Sequence, residues 1–590
     1  MDGSIAPLGD IARVAAGGPA DAGLRLLIVP SARLAPTELQ AEFGPLPTGM
    51  VPYRGKPAYA HIIGQVAGSV DACAVAVSDT GRTLARHAAH AFGDEVRCID
   101  VGPTASLGAT ILAVLDAWTA GRALPPRLLR IQFADTLVDA AAPAPEGVTA
   151  IYHGSAVDLY RWTCFTVADD GTIEKFIEKD ADKTGDDVYG VVIGAFVIAD
   201  VAAFRQRLHA ACDARDRSGS GLDPFYVALR AHFNAAEPDR RALIPVRGWT
   251  DLGHLDTYYA ARRRAGMNAR AFNALDVSDR RGVIRKTSAK AAKLADEIRW
   301  YLRLPKTLAH LAPRVLDYGL DPLDPFVEME FYGYPSLADM FLYGAYDLGV
   351  WERVMAALGD ALDLMGSHRL VPANGRDLTA ALRAVYQEKT AERIAALPDG
   401  ALPAAFGRDW LSINGVRRPG LPTMIDRLAR LGDAVGLYEC PHFSVIHGDF
   451  CLGNLLFDRR NCILRCIDPR GRFGGYDIYG DPHYDLAKLM HSFVGGYDFM
   501  VNDLVRSEAD ADGAIRFALL RQPGHAAVET LFRRWLARRC PDAQPRLRLI
   551  ESLLFISMTP LHADQPQAQV AMMATGLDRF GRLLDEAGLA

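Results

Sequence analysis

Apolar positions along the chain follow two rhythms. Residues 24–30, 72–77 and 128–133 are short, nearly continuous apolar runs, the pattern of strands covered on both faces of a parallel sheet. Between them, residues 57–70 and 107–118 repeat apolar side chains at helical spacing. Strand and helix in alternation predict an α/β layer built on a parallel sheet. Further strands are expected at 163–167, 190–198 and 242–246. Residues 258–270, with Ala261-Arg-Arg-Arg264, read as a helix with a solvated basic face.

Beyond that point the rhythm changes. Residues 272–285 can form strands, 288–301 a helix, and 326–332 a strand that ends in a polar hinge. From residue 336 the pattern is mainly helical, apart from a strand-rich stretch between 443 and 467. A small β-rich lobe followed by a larger helical one is therefore expected. The chain divides into a flexible tail (1–23), an α/β domain (24–265), the small lobe (266–335) and the helical lobe (336–590).

Composition narrows the partners. At 590 residues the chain is too long for one core. A net charge of −6 with no long basic block gives no reason to expect a nucleic-acid partner. Nine scattered cysteines do not make a disulfide framework, and only Cys462 and Cys466 are spaced closely enough for half a zinc site, so buried thiols are expected. The Ala- and Gly-rich start has no positive run ahead of an apolar segment, and no apolar stretch reaches the roughly 18 residues that span a bilayer. A cytoplasmic protein without membrane insertion is the expectation; nothing in the pattern fixes its oligomeric state.

The most informative run is Val445-Ile-His-Gly-Asp-Phe-Cys-Leu-Gly-Asn-Leu-Leu-Phe457. It places Asp449 and Asn454 on one tight loop between apolar segments. Phosphoryl transfer needs a carboxylate to accept the acceptor's hydroxyl proton, and nearby oxygen ligands for Mg²⁺. Asp449 suits the first role and Asn454 the second. Asp468, in Cys466-Ile-Asp-Pro-Arg-Gly471, follows an apolar strand and would bridge Mg²⁺ to the phosphates. Lys286, on a strand reading Val283-Ile-Arg-Lys286, has Glu297 eleven positions on in a helix, a pair suited to holding the α- and β-phosphates. Residues 275–282, which would cover the nucleotide, contain a single glycine, leaving Ser278 and backbone amides to cap the phosphates. Arg470 and Arg472 read either as ligands of the γ-phosphate or of an anionic acceptor, or as surface arginines.

With these residues in this order, the sequence from about residue 272 to the end resembles the aminoglycoside phosphotransferase and choline kinase superfamily. The resemblance implies an α+β bilobal, protein-kinase-like fold that uses ATP and Mg²⁺ on a small-molecule substrate. It implies Asp449 as base, Asn454 and Asp468 as metal ligands, Lys286 with Glu297 as phosphate anchor, and Met329-Glu330 as the adenine-contacting hinge. Gly480-Asp-Pro-His-Tyr-Asp-Leu-Ala-Lys-Leu489 also matches, with Asp485 bracing the catalytic loop. For a choline-like acceptor, Tyr484, Phe493, Tyr497 and Phe499 could supply a cage, or at helical spacing could simply be core.

Residues 24–264 resemble the sugar-nucleotide pyrophosphorylase group of nucleotidyltransferases, with a GT-A, Rossmann-like sheet. The resemblance rests on Gly55-Lys-Pro57, Phe133-Ala-Asp-Thr-Leu137, Lys175-Phe-Ile-Glu-Lys179 and Gly248-Trp-Thr-Asp-Leu-Gly253. It implies Asp135 and Asp251 as Mg²⁺ ligands, Glu178 and Lys179 on the sugar-phosphate side, and Arg33 and Lys56 toward a second nucleotide, CTP, GTP or UTP. The glycine-rich triphosphate loop of that group is replaced here by Ile28-Val-Pro-Ser-Ala-Arg-Leu34, where Pro30 removes an amide donor. The expected protein is bifunctional: it phosphorylates a small metabolite and then joins it to a nucleotide, supplying a surface polysaccharide or other glycoconjugate. The alternative is a kinase whose first domain only binds.

Overall fold

The strand Arg25–Pro30 lies between two parallel neighbours, Ala72–Val77 and Leu128–Gln132, with Val96–Asp100 beyond Ala72–Val77. Leu26, Leu27, Ile28 and Val29 are all fully buried, which explains an unbroken apolar run where a half-exposed strand would alternate. Gly190–Ala199 then joins antiparallel to Leu128–Gln132 and makes the sheet mixed. The helix Leu107–Thr119 covers it, its first turn held by the Ser106 hydroxyl, which accepts from the Ala109 amide at 3.0 Å. Ile111, Leu115 and Trp118 of that helix pack with Phe196, Phe204 and Phe225 in one core. A ribbon, Gly248–Asp251 antiparallel to Thr136–Asp139, stands outside the main sheet.

The computed structural model describes residues 23–120, 126–139, 143–179, 188–218, 221–265, 273–278, 281–371, 376–510 and 512–589. The tail expected over residues 1–23 lies, but for Gly23, outside them, as do residues 279–280 of the expected nucleotide-covering loop. Contacts divide the chain into two units: the first ends at Gly253, and the second runs from His254 and also takes in Pro36–Leu46 and Val51–Pro57. The expected α/β layer is the first unit, and the expected small β-rich lobe with a larger helical one makes up most of the second.

The small lobe is a four-stranded antiparallel sheet in the order Asn273–Ser278, Val283–Ser288, Phe326–Glu330, Val315–Gly319. The helix Ala291–Arg303 packs Leu294 and Ile298 onto it, against Ile284, Val327 and Met329. In the large lobe Gln544–Met558 and Pro566–Glu586 are buried along most of their lengths. Among the described residues no helix is long and apolar enough to cross a membrane. All nine cysteines are free, four of them buried.

One expectation is corrected. The region after residue 336 holds a second four-stranded sheet, in the order Val416–Pro419, Trp410–Ile413, Ile515–Leu519, Val505–Ala509. Its strands are short and carry Arg417, Arg418, Arg506, Glu508 and Arg516, so no apolar run announces them. The turn did carry a signal: Asn414-Gly415, with φ of 48° and 78°, is the pair that a two-residue hairpin favours.

Candidate active sites

The strand Phe443–Val445 leads into the loop that holds Asp449. The Asp485 carboxylate, in the first turn of the helix Pro482–Phe493, accepts from the His447 amide at 2.7 Å and the Gly448 amide at 2.8 Å. The Trp300 indole donates to the Ile446 carbonyl at 2.8 Å, and the Arg470 amide to the His447 carbonyl at 2.9 Å. Gly448 sits at φ 77°, where a Cβ would come within 2.9 Å of Arg470 Cβ, so only glycine passes here. The loop is pinned from three sides.

Asp449 is thereby fixed beside two partners. Asn454 Nδ2 donates to its side chain at 3.0 Å, and Lys488 Nζ lies 2.9 Å away with its own side chain 4% exposed. Pairing of Leu455 with Cys466 brings Asn454 and Asp468 to the same end of the ribbon Leu455–Asp458 and Ile463–Cys466. Asp468, at φ 56°, projects half-exposed and touches Lys286 Nζ at 2.6 Å. Lys286 Nζ stands 2.8 Å from each oxygen of Glu297, and both side chains are 5% exposed. Burial opposes the Lys286 charge, but Asp468 and Glu297 outweigh it and raise its pKa above the ordinary lysine value.

Lys286, Met329, Glu330, Asp449, Asn454 and Asp468 all line one cavity of about 440 Å³. Glu297 stands behind Lys286, off the cavity wall. Ser278 is not part of the wall either; its carbonyl accepts from the Gly282 amide at 2.9 Å in the turn between the first two strands of the lobe. Among the described residues no cluster of three or more His, Cys, Asp or Glu is present to cage a metal. Asn454 and Asp468 nevertheless fit a magnesium ion that draws its remaining ligands from phosphates and water.

The cavity has walls that sequence reasoning missed. Pro52–Tyr53 and Lys56–Pro57 form a hairpin whose turn, Arg54-Gly55, has φ of 48° and 73°. Tyr53, Arg54 and Gly55 line the cavity. The hairpin is tied to the second unit by Tyr258, whose hydroxyl donates to the Pro52 carbonyl at 2.6 Å, and by Tyr343, which donates to the Gly55 carbonyl at 2.7 Å. Lys56, expected at a nucleotide of the first domain, stands in the second unit 3.4 Å from Asp503. Arg262, expected on a solvated face, is 17% exposed, pairs with Asp339 at 3.5 Å and lines the same cavity.

Arg472 is exposed and pairs with Asp296 at 3.8 Å. Of the four candidate cage rings, Phe493 packs among Phe341, Trp351 and Phe532, Phe499 against Phe341 and His525, and Tyr484 between Tyr386 and Phe473. They are core, and only Tyr497 reaches the cavity.

The helix that carries Asp485 and Lys488 starts at Asp481, which is fully buried. Asp481 accepts from Arg546 at 2.8 Å and from the Tyr386 hydroxyl at 2.7 Å. Burial works against this carboxylate, but Arg546, His483 and Tyr386 prevail and hold its pKa down at about 2, against an unfolded value of 3.8. A depressed carboxylate stabilises the fold above its unfolded pKa and loses that contribution as pH falls through the folded one. Urea unfolding of the wild type should therefore lose about 2 kcal/mol between pH 5 and pH 2 that Asp481→Asn does not lose; parallel curves for the two proteins would remove Asp481 from the account.

In the first unit, Asp135 follows the carboxyl end of Leu128–Gln132, next to the end of Arg25–Pro30 where Arg33 lies. Ligands of parallel sheets bind beyond such ends. Pairing of Asp251 with Thr136 brings the second carboxylate alongside. The Leu252 amide donates to the Asp135 carbonyl at 2.7 Å and the Gly253 amide to Asp251 Oδ1 at 2.8 Å. A Cβ at Gly253 would lie 2.6 Å from Asp135 Oδ2 and 3.1 Å from Asp251 Oδ1, so both carboxylates converge on a spot kept clear by glycine. Glu178 accepts from the Asp223 amide at 3.0 Å, and Lys179 beside it is exposed. Burial, with Asp223, Glu178 and Asp135 adding to it against a hydrogen bond from Thr163, pushes the Tyr226 hydroxyl well above its usual pKa. Arg33 is exposed. The loop it sits on is closed in on itself: the Ser31 amide donates to the Ala76 carbonyl at 3.2 Å and Ser31 Oγ accepts from the Gly49 amide at 2.9 Å.

Comparison with curated proteins finds no match. Over about the first two-fifths of the chain, solved nucleotidyltransferases are similar. The inositol-1-phosphate CTP transferase from T. maritima is 15% identical and covers 40% of this chain and 91% of its own, with a TM-score of 0.30. The nucleoside-diphosphate-sugar pyrophosphorylase from Vibrio cholerae is 14% identical, covering 40% and 99%, with a TM-score of 0.33. The CTP:phosphocholine cytidylyltransferase from Streptococcus pneumoniae is 10% identical, covering 41% and 100%, with a TM-score of 0.31. Residues 260–527, a stretch that includes the pinned loop, the buried Lys286–Glu297 pair and Asp468, match the model of the phosphotransferase enzyme family. That stretch of the chain is a phosphotransferase-family domain.

Proposed function

We propose that the second unit transfers the γ-phosphoryl group of ATP to a hydroxyl of a small molecule. The observation that carries this reading is that Asp449, Asn454, Asp468 and Lys286 line a single cavity. Asp449 takes the proton as the acceptor oxygen attacks the γ-phosphorus; the bond from that phosphorus to the β-phosphate oxygen breaks and ADP leaves. Lys286, held by Glu297, anchors the α- and β-phosphates. Magnesium, when bound, neutralises phosphate charge, with Asn454 and Asp468 holding it. A small acceptor suits the site better than a protein, because the helix Pro482–Phe493 begins fourteen residues after Asp468 and leaves little room for an activation loop.

In the same proposal the first unit joins the phosphorylated product to a nucleoside monophosphate. The product's phosphate oxygen attacks the α-phosphorus of CTP, GTP or UTP and pyrophosphate leaves; Asp135 and Asp251 would hold a Mg²⁺ ion that offsets the phosphate charge. The activated product would feed a surface polysaccharide or another glycoconjugate. The alternative, a kinase whose first unit only binds, draws on one observation: the loop after the first strand offers its Ser31 amide to Ala76 and not to a triphosphate. A metabolite pool incubated with ATP and Mg²⁺, read by mass and repeated with each NTP, separates the two. Pyrophosphate release with one NTP, reduced at least about 100-fold by Asp251→Asn, is the expected result. Robust kinase turnover with no pyrophosphate from any NTP would leave only the binding role.

A further inference from the structure

Five carboxylates stand on the wall of the phosphotransferase cavity: Glu330, Asp339, Asp449, Asp468 and Asp498. Four of them meet a donor: Tyr332 for Glu330 at 2.8 Å, Arg262 for Asp339 at 3.5 Å, Lys488 for Asp449 at 2.9 Å and Lys286 for Asp468 at 2.6 Å. Asp498 differs. It is 2% exposed, the Ser492 hydroxyl hydrogen-bonds its side chain, and among the described residues no donor reaches Oδ2. A carboxylate oxygen so deeply buried gives up its hydration and needs a donor in exchange.

The chain holds this side chain in place. Gly496, at φ 77°, turns the backbone out of the helix Pro482–Phe493 into the short helix Tyr497–Val501. Ser492 Oγ accepts from the Leu452 amide at 3.2 Å, so one hydroxyl ties Asp498 to the loop that carries Asp449. A Cβ at Gly453 of that loop would lie 4.0 Å from Asp498 Oδ1. Asn502, His562 and Gln565 line the same cavity. Asn502 Nδ2 donates to the Asp498 carbonyl at 2.7 Å and Gln565 Nε2 to the Val501 carbonyl at 3.2 Å, so each amide is anchored through its nitrogen and keeps its oxygen as an acceptor. Lys56, in the hairpin that walls the cavity, lies 3.4 Å from Asp503, the residue after Asn502, which brings the hairpin to this end.

An ionised carboxylate only accepts, so what meets Oδ2 is a hydroxyl or an ammonium. Asn502, Gln565 and His562 carry donors as well as acceptors, a match for hydroxyls, which do both, and a poor one for an ammonium, which only donates. A quaternary cation would want a cage of rings, and only Tyr497 of the four candidates lines the cavity. An anionic group would be repelled by Asp498.

We infer that Asp498 is a binding residue of the acceptor site, its Oδ2 accepting from a second, non-reacting hydroxyl beside Asn502 and Gln565, and that the acceptor is a neutral polyhydroxylated molecule, a sugar or polyol. This rests on the phosphoryl-transfer reading above and narrows it.

The test gives the full-length protein, with ATP and Mg²⁺ at pH 7.5, a panel of neutral sugars and linear and cyclic polyols, of amino alcohols including choline, and of hydroxy acids, and reads ADP release. A neutral compound is expected to be the best acceptor. With it, Asp498→Leu should raise KM about tenfold or more, with kcat and the affinity for β,γ-methylene-ATP changed less than about threefold, and Asp498→Asn should fall between. One monodeoxy analogue of that acceptor should cost the wild type about tenfold in kcat/KM and cost Asp498→Leu nothing further. If Asp498→Leu does not fold, Asp498→Asn and the deoxy series on the wild type decide alone. Preference for an amino alcohol or a hydroxy acid, or no turnover of any neutral compound, overturns the inference. So does a KM in the variants equal to that of the wild type, since Oδ2 would then meet only water. Failure of the wild type to bind β,γ-methylene-ATP, measured by calorimetry, brings down the phosphoryl-transfer reading instead.

Discussion

Asp449→Asn should lower ATP-dependent phosphorylation by roughly 10²–10⁴-fold, the range for loss of a positioned general base. The substitution keeps the shape of the side chain and its contact with Asn454 Nδ2, which lies 3.0 Å away. What goes is the negative charge, and with it both the proton acceptor and the counterion of Lys488, a lysine 4% exposed. A cation stranded in such a place is costly, so the variant should also melt at a lower temperature. Adding Lys488→Met should restore much of the melting temperature and none of the turnover. Single-turnover ADP release and thermal denaturation on the same samples read the two effects apart. Unchanged turnover in Asp449→Asn would sink the base assignment.

Lys286→Met is expected to produce the largest loss of stability, about 3–5 kcal/mol, in addition to a collapse of phosphate anchoring. Among the described residues Lys286 is the only cation within hydrogen-bond reach of both Glu297 and Asp468, at 2.8 Å and 2.6 Å, and Glu297 is 5% exposed. Without the ammonium, burial and the Asp468 charge both favour a protonated Glu297. The sign follows from linkage: a carboxyl whose folded pKa is raised above its unfolded value favours folding at low pH and loses that contribution as pH rises through the folded value. The deficit of the variant should therefore be larger at pH 8 than at pH 6, whereas Glu297→Gln should be nearly indifferent to pH over the same range. Denaturant midpoints at the two pH values decide it; equal deficits would mean that the pair is not the electrostatic unit described.

The kinase half was legible for a physical reason. Phosphoryl transfer puts its carboxylate and metal ligands on one turn and one neighbouring strand end, so Asp449, Asn454 and Asp468 are only nineteen positions apart from first to last, and short spacing survives in sequence. The strand that carries Lys286 and the helix that carries Glu297 were legible because each shows its apolar period. Groups that act across long chain distances left no such trace. Lys488 comes from a helix whose periodicity says core, and nothing local reveals that it meets Asp449, thirty-nine positions earlier, at 2.9 Å. The hairpin at Arg54-Gly55 was read as part of a nucleotidyltransferase segment, since its Gly-Lys-Pro spelling fits that group, while its three-dimensional neighbours, Tyr258 and Tyr343, lie two hundred residues or more further on. The sheet built from residues 410–419 and 505–519 escaped because arginines hide short strands, and its Asn-Gly turn was the one usable clue.

That hairpin also bears on how the gene can be rearranged. The family match begins at residue 260, yet one wall of the phosphotransferase cleft is encoded about two hundred codons earlier. Recombination at the apparent junction, grafting this kinase onto another leading domain, would deliver a catalyst with an open side, so a working graft has to carry residues 51–57 with it.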